Sequence, residues 1–461
     1  MRKLYVLIFL LLFSACGTQP EEEIHITPEE DYTSNYQMVE IEGIMRKIMP
    51  PGSLTTEHFL EDLDYMVYVL QNNFALLDVA NWAHGVDYAE LAEEARQRIL
   101  TMDEPCEDMF LAIMVYSFRT LFGTGHFRIF VYQQHYNMVN NFYGGYRGLK
   151  GRMNLALMHS PLAKRFYYDS GNQERTNSLN EMIEMLEDTY GTMHNRWWVE
   201  DGISQPVTTK IIEENRIAYI SLGRSMEELW QSRNLIREFN REIADFEHLI
   251  LDLRGNGGGD INNFLNFVLI PHLRESIEPP KAFYFFLDGP YIRRFGDMLF
   301  DETVASGFLI PTEVYSPAME ILEEFDLPEI NHIDIERLDY GVPVSRRGRL
   351  TALTEHSRFA FDGKIWLLTD KSMGSASTMA AWYARETGFA TLVGDYTGGN
   401  LGGPRTLALM PNTGIIFYFD IFYVTDSRGR PLEAGTIPHH FRRPGLCPLE
   451  TVLELIAEGE Y

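Results

Sequence analysis

Leu249-Ile250-Leu251-Asp252-Leu253-Arg254-Gly255-Asn256-Gly257-Gly258-Gly259-Asp260 decides the fold of this chain. Its apolar start reads as a buried strand. The strand runs into a loop too rich in glycine to be ordinary turn filler. Residues without a Cβ let backbone N–H groups approach a ligand closely. Such a loop is the material of an oxyanion hole or an anion nest. It lacks the GK[ST] ending of a P-loop and the GxGxxG spacing of a dinucleotide site, so phosphate readings are weak.

Working outward, the pattern is α/β from Val207. Residues 208–212 and 216–221 form a hairpin around Glu214-Asn215, and a helix spans about Met226 to Ile243. Strand 248–253 leads to the glycine loop, a helix from about Ile261 and strand 281–286. Residues 288–358 read as an insertion; strand 364–369, helix 378–387 and strand 390–394 then resume the alternation. Alternating strands and helices imply a mostly parallel sheet. The β-rich tail from Arg405 to Val424 is expected to extend or cap it.

Upstream, Leu60, Leu63, Met66, Val67 and Leu70 fall at helical spacing, as do Tyr88, Leu91, Ala95 and Ile99. Met109 to Leu121 makes a third helix, and Phe127 to Tyr132 reads as a strand after the Gly123-Thr124-Gly125-His126 turn. The chain thus divides into an N-terminal helical domain (52–139), an intermediate region (140–206) without a PDZ-like signature, and an α/β core (207–455).

The chain has 461 residues, 45% of them hydrophobic, which suits a globular protein with a sizeable core. Its formal charge is -27, from 39 Lys+Arg against 66 Asp+Glu, which repels nucleic acid and anionic membrane surfaces. The first residues read as a targeting segment. Arg2 and Lys3 are basic, Leu4 to Phe13 are apolar but too few to span a bilayer, and Ser14-Ala15 precede Cys16. This resembles a bacterial lipoprotein signal over residues 1–16, with Cys16 lipidated, followed by an acidic tether at 17–51. The expected location is the cell envelope, with the body facing the periplasm or the cell surface. Cys106 and Cys447 make no disulfide framework. No CxxC or HExxH motif occurs, so neither a metal nor a cofactor is expected, and His439-His440 reads as a surface pair.

A nucleophile is offered by Gly374-Ser375-Ala376-Ser377-Thr378, between a strand and a helix. There the helix dipole favours developing negative charge, and the Ala376 amide is placed to donate to an oxyanion. The plain alternative is that Ser375, Ser377 and Thr378 cap the helix.

Three blocks now stand in order: Leu251 to Gly259, Met373 to Ser377, and Leu392-Val393-Gly394-Asp395-Tyr396-Thr397-Gly398-Gly399. Together they resemble the tail-specific (C-terminal processing) protease superfamily, which includes the tricorn core and the interphotoreceptor retinoid-binding modules. The resemblance implies a crotonase-like core and serine peptidase activity on polypeptides, often at their C-terminal ends. One style of the superfamily uses a Ser–Lys dyad, but Asn400 stands at the lysine position. The other uses Ser, His and Glu. Thr124-Gly125-His126-Phe127 resembles its histidine block without the Asp and Thr, and Glu433-Ala434-Gly435-Thr436-Ile437-Pro438-His439 resembles its glutamate block with His439 in place of Asp. The resemblance thus implies Ser375 as nucleophile, His126 as base and Glu433 as its orienting group, acting directly or through another polar side chain. Backbone amides of Gly257 or Gly258 and of Ala376 would hold the oxyanion. Two rivals stay open: a non-catalytic binding protein on this fold, and an esterase or acyl-transfer enzyme.

Overall fold

The computed structural model describes residues 50, 52–142, 149–168, 171–192, 205–293, 316–344, 350–355, 357–359, 361–401, 403 and 405–459. The targeting segment, Cys16 and nearly all of the tether lie outside the described residues.

Four helices open the described chain: α1 (Thr56–Asn73), α2 (Leu77–His84), α3 (Tyr88–Leu100) and α4 (Glu107–Ser117). Phe59, Leu63, Met66 and Leu70 give α1 its buried stripe. Helix α4 is buried on every side from Phe110 to Ser117, as its unbroken apolar sequence requires. The expected strand at 127–132 shrinks to β1 (Arg128–Ile129), because Tyr132 already starts a helix. Within 140–206 the regular structure of the described residues is helical; Gln173–Tyr190 (α5) packs on α4.

The strands of the main sheet are β2 (Thr208–Glu213), β3 (Ile217–Ser221), β4 (His248–Asp252), β8 (Lys364–Thr369), β9 (Thr391–Gly394) and β13 (His440–Phe441). Their order is β13-β9-β8-β4-β3-β2, parallel throughout except for the β2–β3 hairpin. The protein is therefore α/β with a mostly parallel sheet, as the alternating pattern requires. Both faces are covered, which is why the middles of the central strands, such as Leu249-Ile250-Leu251 and Ile365-Trp366-Leu367-Leu368, are apolar at successive positions. On one face Tyr219, Ile250, Trp366 and Leu368 pack on the C-terminal helix Pro448–Glu458. On the other, Ile220, Leu251 and Leu367 join a core continuous with α1–α4. The helix expected over 226–243 breaks at Ser232 into Met226–Gln231 (α6) and Arg233–Glu242 (α7).

The β-rich tail does not extend this sheet. β10 (Arg405–Leu409) and β11 (Ile416–Asp420) join β1 in a separate antiparallel sheet, in the order β1-β11-β10. β12 (Tyr423–Thr425) pairs instead with β5 (Ala282–Phe286). Part of the insertion completes that third sheet, since β6 (Ser316–Pro317) pairs β7 (Tyr340–Val344), which pairs β5. These pairings are long-range, and strand pattern alone does not choose partners.

The N-terminal helices grip the tail. The buried Asp62 carboxylate on α1 accepts from Asn412 N and Thr413 N at 2.8 Å each, and from Thr413 Oγ1 at 2.6 Å. Burial raises its pKa to about 6, against the opposing effect of those donors. This clamp fixes the β10–β11 turn, and so the arm that carries Asp420.

Candidate active site

Ser375 lies between β8 and the helix Ala376–Glu386 (α8), with φ 56° and ψ −124°. For a side chain with a Cβ this is a strained conformation, costing on the order of 1–3 kcal/mol. Four non-glycine residues have positive φ among the described residues: His126, Asn215, Ser375 and Asn400. Asn215 turns the β2–β3 hairpin; the other three meet at one place. Such strain persists only where the surroundings over-determine it. The surroundings here are visible. Ser375 N donates to Gly399 O at 3.0 Å, and Gly398 N to Met373 O at 2.7 Å. On the other side a Cβ on Gly258 would stand 2.8 Å from Ser375 Cβ, so only glycine lets the loop come so near.

His126 arrives by strand register. β1 pairs β11 with Arg128 opposite Tyr418 and Ile129 opposite Phe417. Two residues further back, the same antiparallel register sets His126 opposite Asp420. The His126 Nδ1 is 2.6 Å from Asp420 Oδ2, and Nε2 is 3.1 Å from Ser375 Oγ. An ionised carboxylate only accepts, so Nδ1 carries the proton and the Nε2 lone pair faces the serine hydroxyl. Asn400 Oδ1 accepts from His126 N at 2.5 Å. The residue at the lysine position of the dyad style thus holds the histidine's backbone.

Glu433 corrects the expectation drawn from the C-terminal block. It is buried, but its Oε2 accepts from Leu401 N at 3.0 Å, and Asp420 occupies the place beside the imidazole. Glu433 acts one step away: it secures the strap at Leu401, and the neighbouring Asn400 secures His126. Asp420 was missed by sequence reasoning. Its one signal is a single carboxylate inside the apolar run Ile415 to Val424.

The oxyanion donors divide. Gly257 N donates to Arg224 O at 3.0 Å and Gly258 N to Asn256 Oδ1 at 2.9 Å, so both amides are engaged within the loop. An asparagine side chain turning back on the amide two residues ahead is an Asx turn, and it competes for the donor. Ala376 N, at the first position of α8, makes no hydrogen bond among the described residues. The capping alternative also changes. Ser375 makes no cap bond, and the Ser377 hydroxyl lies 2.6 Å from Asn256 O and 2.8 Å from Gly374 O, both acceptors. Ser377 ties the glycine loop to the elbow. The loop is anchored at its start by Arg254, whose Nε and Nη2 reach Asp252 at 2.9 and 2.6 Å.

Burial lowers the His126 pKa below its ordinary value; Asp420 opposes this, while Arg405 and Arg128 reinforce it. The imidazole is therefore neutral, and able to accept a proton, at neutral pH. Two arginines thus flank the site: Arg128 on β1, two residues after His126, and Arg405 on β10, paired opposite Asp420. Among the described residues no group of three or more His, Cys, Asp or Glu side chains is arranged to hold a metal ion.

The model of peptidase family S41 matches residues 216–279 and 319–441, the stretches that carry the glycine loop, Ser375, Asp420 and Glu433. A protein from Parabacteroides merdae solved as a candidate peptidase is similar at 14% identity, covering 88% of this chain and 97% of that one, with a TM-score of 0.46. A lipoprotein from Streptococcus agalactiae is similar at 11% identity, 90% and 100% coverage and a TM-score of 0.38. The tricorn protease matches at 15% identity over 52% of this chain and 16% of its own, with a TM-score of 0.27. No curated protein matches the chain. The fold and the family match define a serine-type peptidase. Residues 216–279 and 319–441 thus match the tail-specific protease family, peptidase family S41.

Proposed function

We propose that this chain hydrolyses peptide bonds through an acyl-enzyme formed on Ser375. The observation that carries this reading is the imidazole of His126, set 3.1 Å from the serine hydroxyl and 2.6 Å from a buried carboxylate. The Ser375 oxygen attacks the scissile carbonyl while His126 Nε2 takes its proton. The Ala376 amide donates to the oxygen that becomes negative, supported by the N-terminus of α8. His126 then returns the proton to the leaving amine, and the C–N bond breaks. Water, deprotonated by the same nitrogen, attacks the ester and frees the acid. Asp420 holds the tautomer and stabilises the transient imidazolium. Asn400 and Glu433 are positioning residues.

A fluorophosphonate probe tests the nucleophile. The wild-type chain is expected to label, and Ser375→Ala to lose labelling. Label retained in Ser375→Ala but lost in Ser377→Ala would move the nucleophile. No label on the folded wild-type chain would leave a binding protein on a peptidase fold, and turnover of esters but not peptides an esterase.

The acid limb of kcat/KM reports the base in the free enzyme. Because the folded His126 pKa is lowered, that limb is expected below pH 6.5. Activity is present above the folded pKa and is lost as pH falls through it. Arg405→Gln removes a charge that disfavours the imidazolium, so the limb should move to higher pH. A limb that stays put in that variant, or moves down, would refute the electrostatic assignment.

A further inference from the structure

Ser160 caps the short helix Pro161–Phe166 in the intermediate region, its hydroxyl accepting from Ala163 N at 3.3 Å. Pro161 takes the first helical position, where no N–H partner is needed. This helix delivers Arg165 and Tyr167 to the sheet of β1, β11 and β10. Arg165 Nη2 donates to Asn412 O at 3.2 Å and to Thr413 O at 3.1 Å, while its Nη1 pairs with Glu107 at 3.0 Å. Asp62 takes the amides of the same two residues, so the β10–β11 turn is held by its carbonyls and its N–H groups alike. A Cβ on Gly414 would stand 2.5 Å from Leu162 O, so the helix start presses on the turn. The buried Tyr167 hydroxyl accepts from Ile416 N at 3.2 Å and donates to Phe130 O at 2.8 Å. Phe130 N donates directly to Ile416 O at 2.8 Å. Two residues so placed in an antiparallel ladder ordinarily exchange both bonds directly. Here the second bond runs through the tyrosine oxygen. His135 lies flat on the Tyr167 ring with centroids 4.2 Å apart, and Phe166 meets it edge-on at 4.9 Å, so the ring is fixed.

We propose that Ser160 to Tyr167 is a register lock for the site, with Tyr167 and Arg165 as positioning residues that set His126 against Asp420. The β1–β11 ladder is two positions long, Arg128 opposite Tyr418 and Ile129 opposite Phe417. So few bonds hold a register poorly, and a slip of one residue turns every side chain to the other face. The register that sets Phe130 opposite Ile416 also sets His126 opposite Asp420, four residues along. A hydroxyl with one proton to give needs an N–H on one side and a C=O on the other. The Tyr167 oxygen finds that pair only in the register observed. Arg165 fixes β11 lengthwise, from its turn, and Tyr167 fixes it crosswise, against β1. The inference rests on the reading of His126 as the base, since it assigns the lock to the chemistry of that ring.

The test is Tyr167→Phe in the full chain, read in two ways. One is the rate of fluorophosphonate labelling at saturating probe, with the probe concentration that gives half that rate. The other is the low-field proton resonance of the His126 Nδ1–H held by Asp420, assigned by its loss in His126→Gln. Without the hydroxyl, Ile416 N and Phe130 O lose their bridge and the pairing shifts. The saturating rate should fall on the order of 10²-fold, the scale of a small displacement of reacting groups, with the half-saturating concentration unchanged. The resonance should broaden or vanish. Arg165→Lys keeps a cation beside Glu107 but gives up the fork over two carbonyls, so a loss of roughly tenfold is expected. This milder variant reports if Tyr167→Phe does not fold. A folded Tyr167→Phe chain with the wild-type rate and resonance would overturn the proposal, even with a lower unfolding midpoint, since mere support of the fold gives that result. So would a wild-type rate and resonance in Arg165→Lys. If the resonance is lost in Tyr167→Phe but the wild-type chain never labels, only the acyl-enzyme reading fails. If the wild-type chain labels and both variants match it, only the lock fails.

Discussion

Asp420→Asn is expected to lower kcat about 10⁴-fold with the fold intact, the scale seen when a serine protease loses control of its histidine tautomer. The reason is the direction of one proton. Asp420 Oδ2 sits 2.6 Å from His126 Nδ1 and only accepts. An amide nitrogen turned toward Nδ1 would donate instead, placing the ring proton on Nε2. The lone pair that faces Ser375 would then be gone. Glu433→Gln makes the contrast. Its oxygen can still accept from Leu401 N, so the strap stays and the loss should be under about tenfold. Steady-state kinetics on the two variants decides between the carboxylates. A large loss in Glu433→Gln with Asp420→Asn near wild type would restore the assignment drawn from the C-terminal sequence block.

Ser375→Ala is expected to lower kcat by about 10⁶, the scale at which removing the nucleophile leaves only binding and the oxyanion donors. Ser375→Gly should be equally inactive and yet more stable. At φ 56° and ψ −124° a side chain strains the backbone, whereas glycine enters that region freely. After the extra entropy glycine loses on folding, a net gain of about 1 kcal/mol remains, read as a higher midpoint in thermal unfolding. A Ser375→Gly chain less stable than Ser375→Ala would mean that the elbow holds no strain.

Much of this was legible in the residues. The parallel sheet followed from strands and helices alternating after Val207, and the elbow from a small-residue run between strand 364–369 and the next helix. Local pattern suffices there, since the central strands have apolar middles, as at Leu249-Ile250-Leu251 and Ile365-Trp366-Leu367-Leu368. The carboxylate beside the imidazole was not legible. Asp420 is 294 residues from His126 and reaches it only through the β1–β11 register, which two strand residues set. The C-terminal block implied Glu433 as the orienting group, directly or through another polar side chain; its Oε2 accepts from the Leu401 backbone amide, and Asp420 stands beside the ring. The glycine loop shows the same limit. Its composition announced close approach, and Gly258 does press on Ser375, but Asn256 draws its amide inward. Competition between a side chain and a ligand for one donor is decided in three dimensions.

The register that sets His126 against Asp420 also bears on timing. A ribosome releases the histidine early and the aspartate nearly 300 residues later. Until the stretch around residue 420 has emerged and paired with β1, the nascent protein holds His126 without the carboxylate that orients its ring. On the proposed mechanism, competence comes at the close of synthesis, and a truncated product ending before that strand lacks the oriented imidazole.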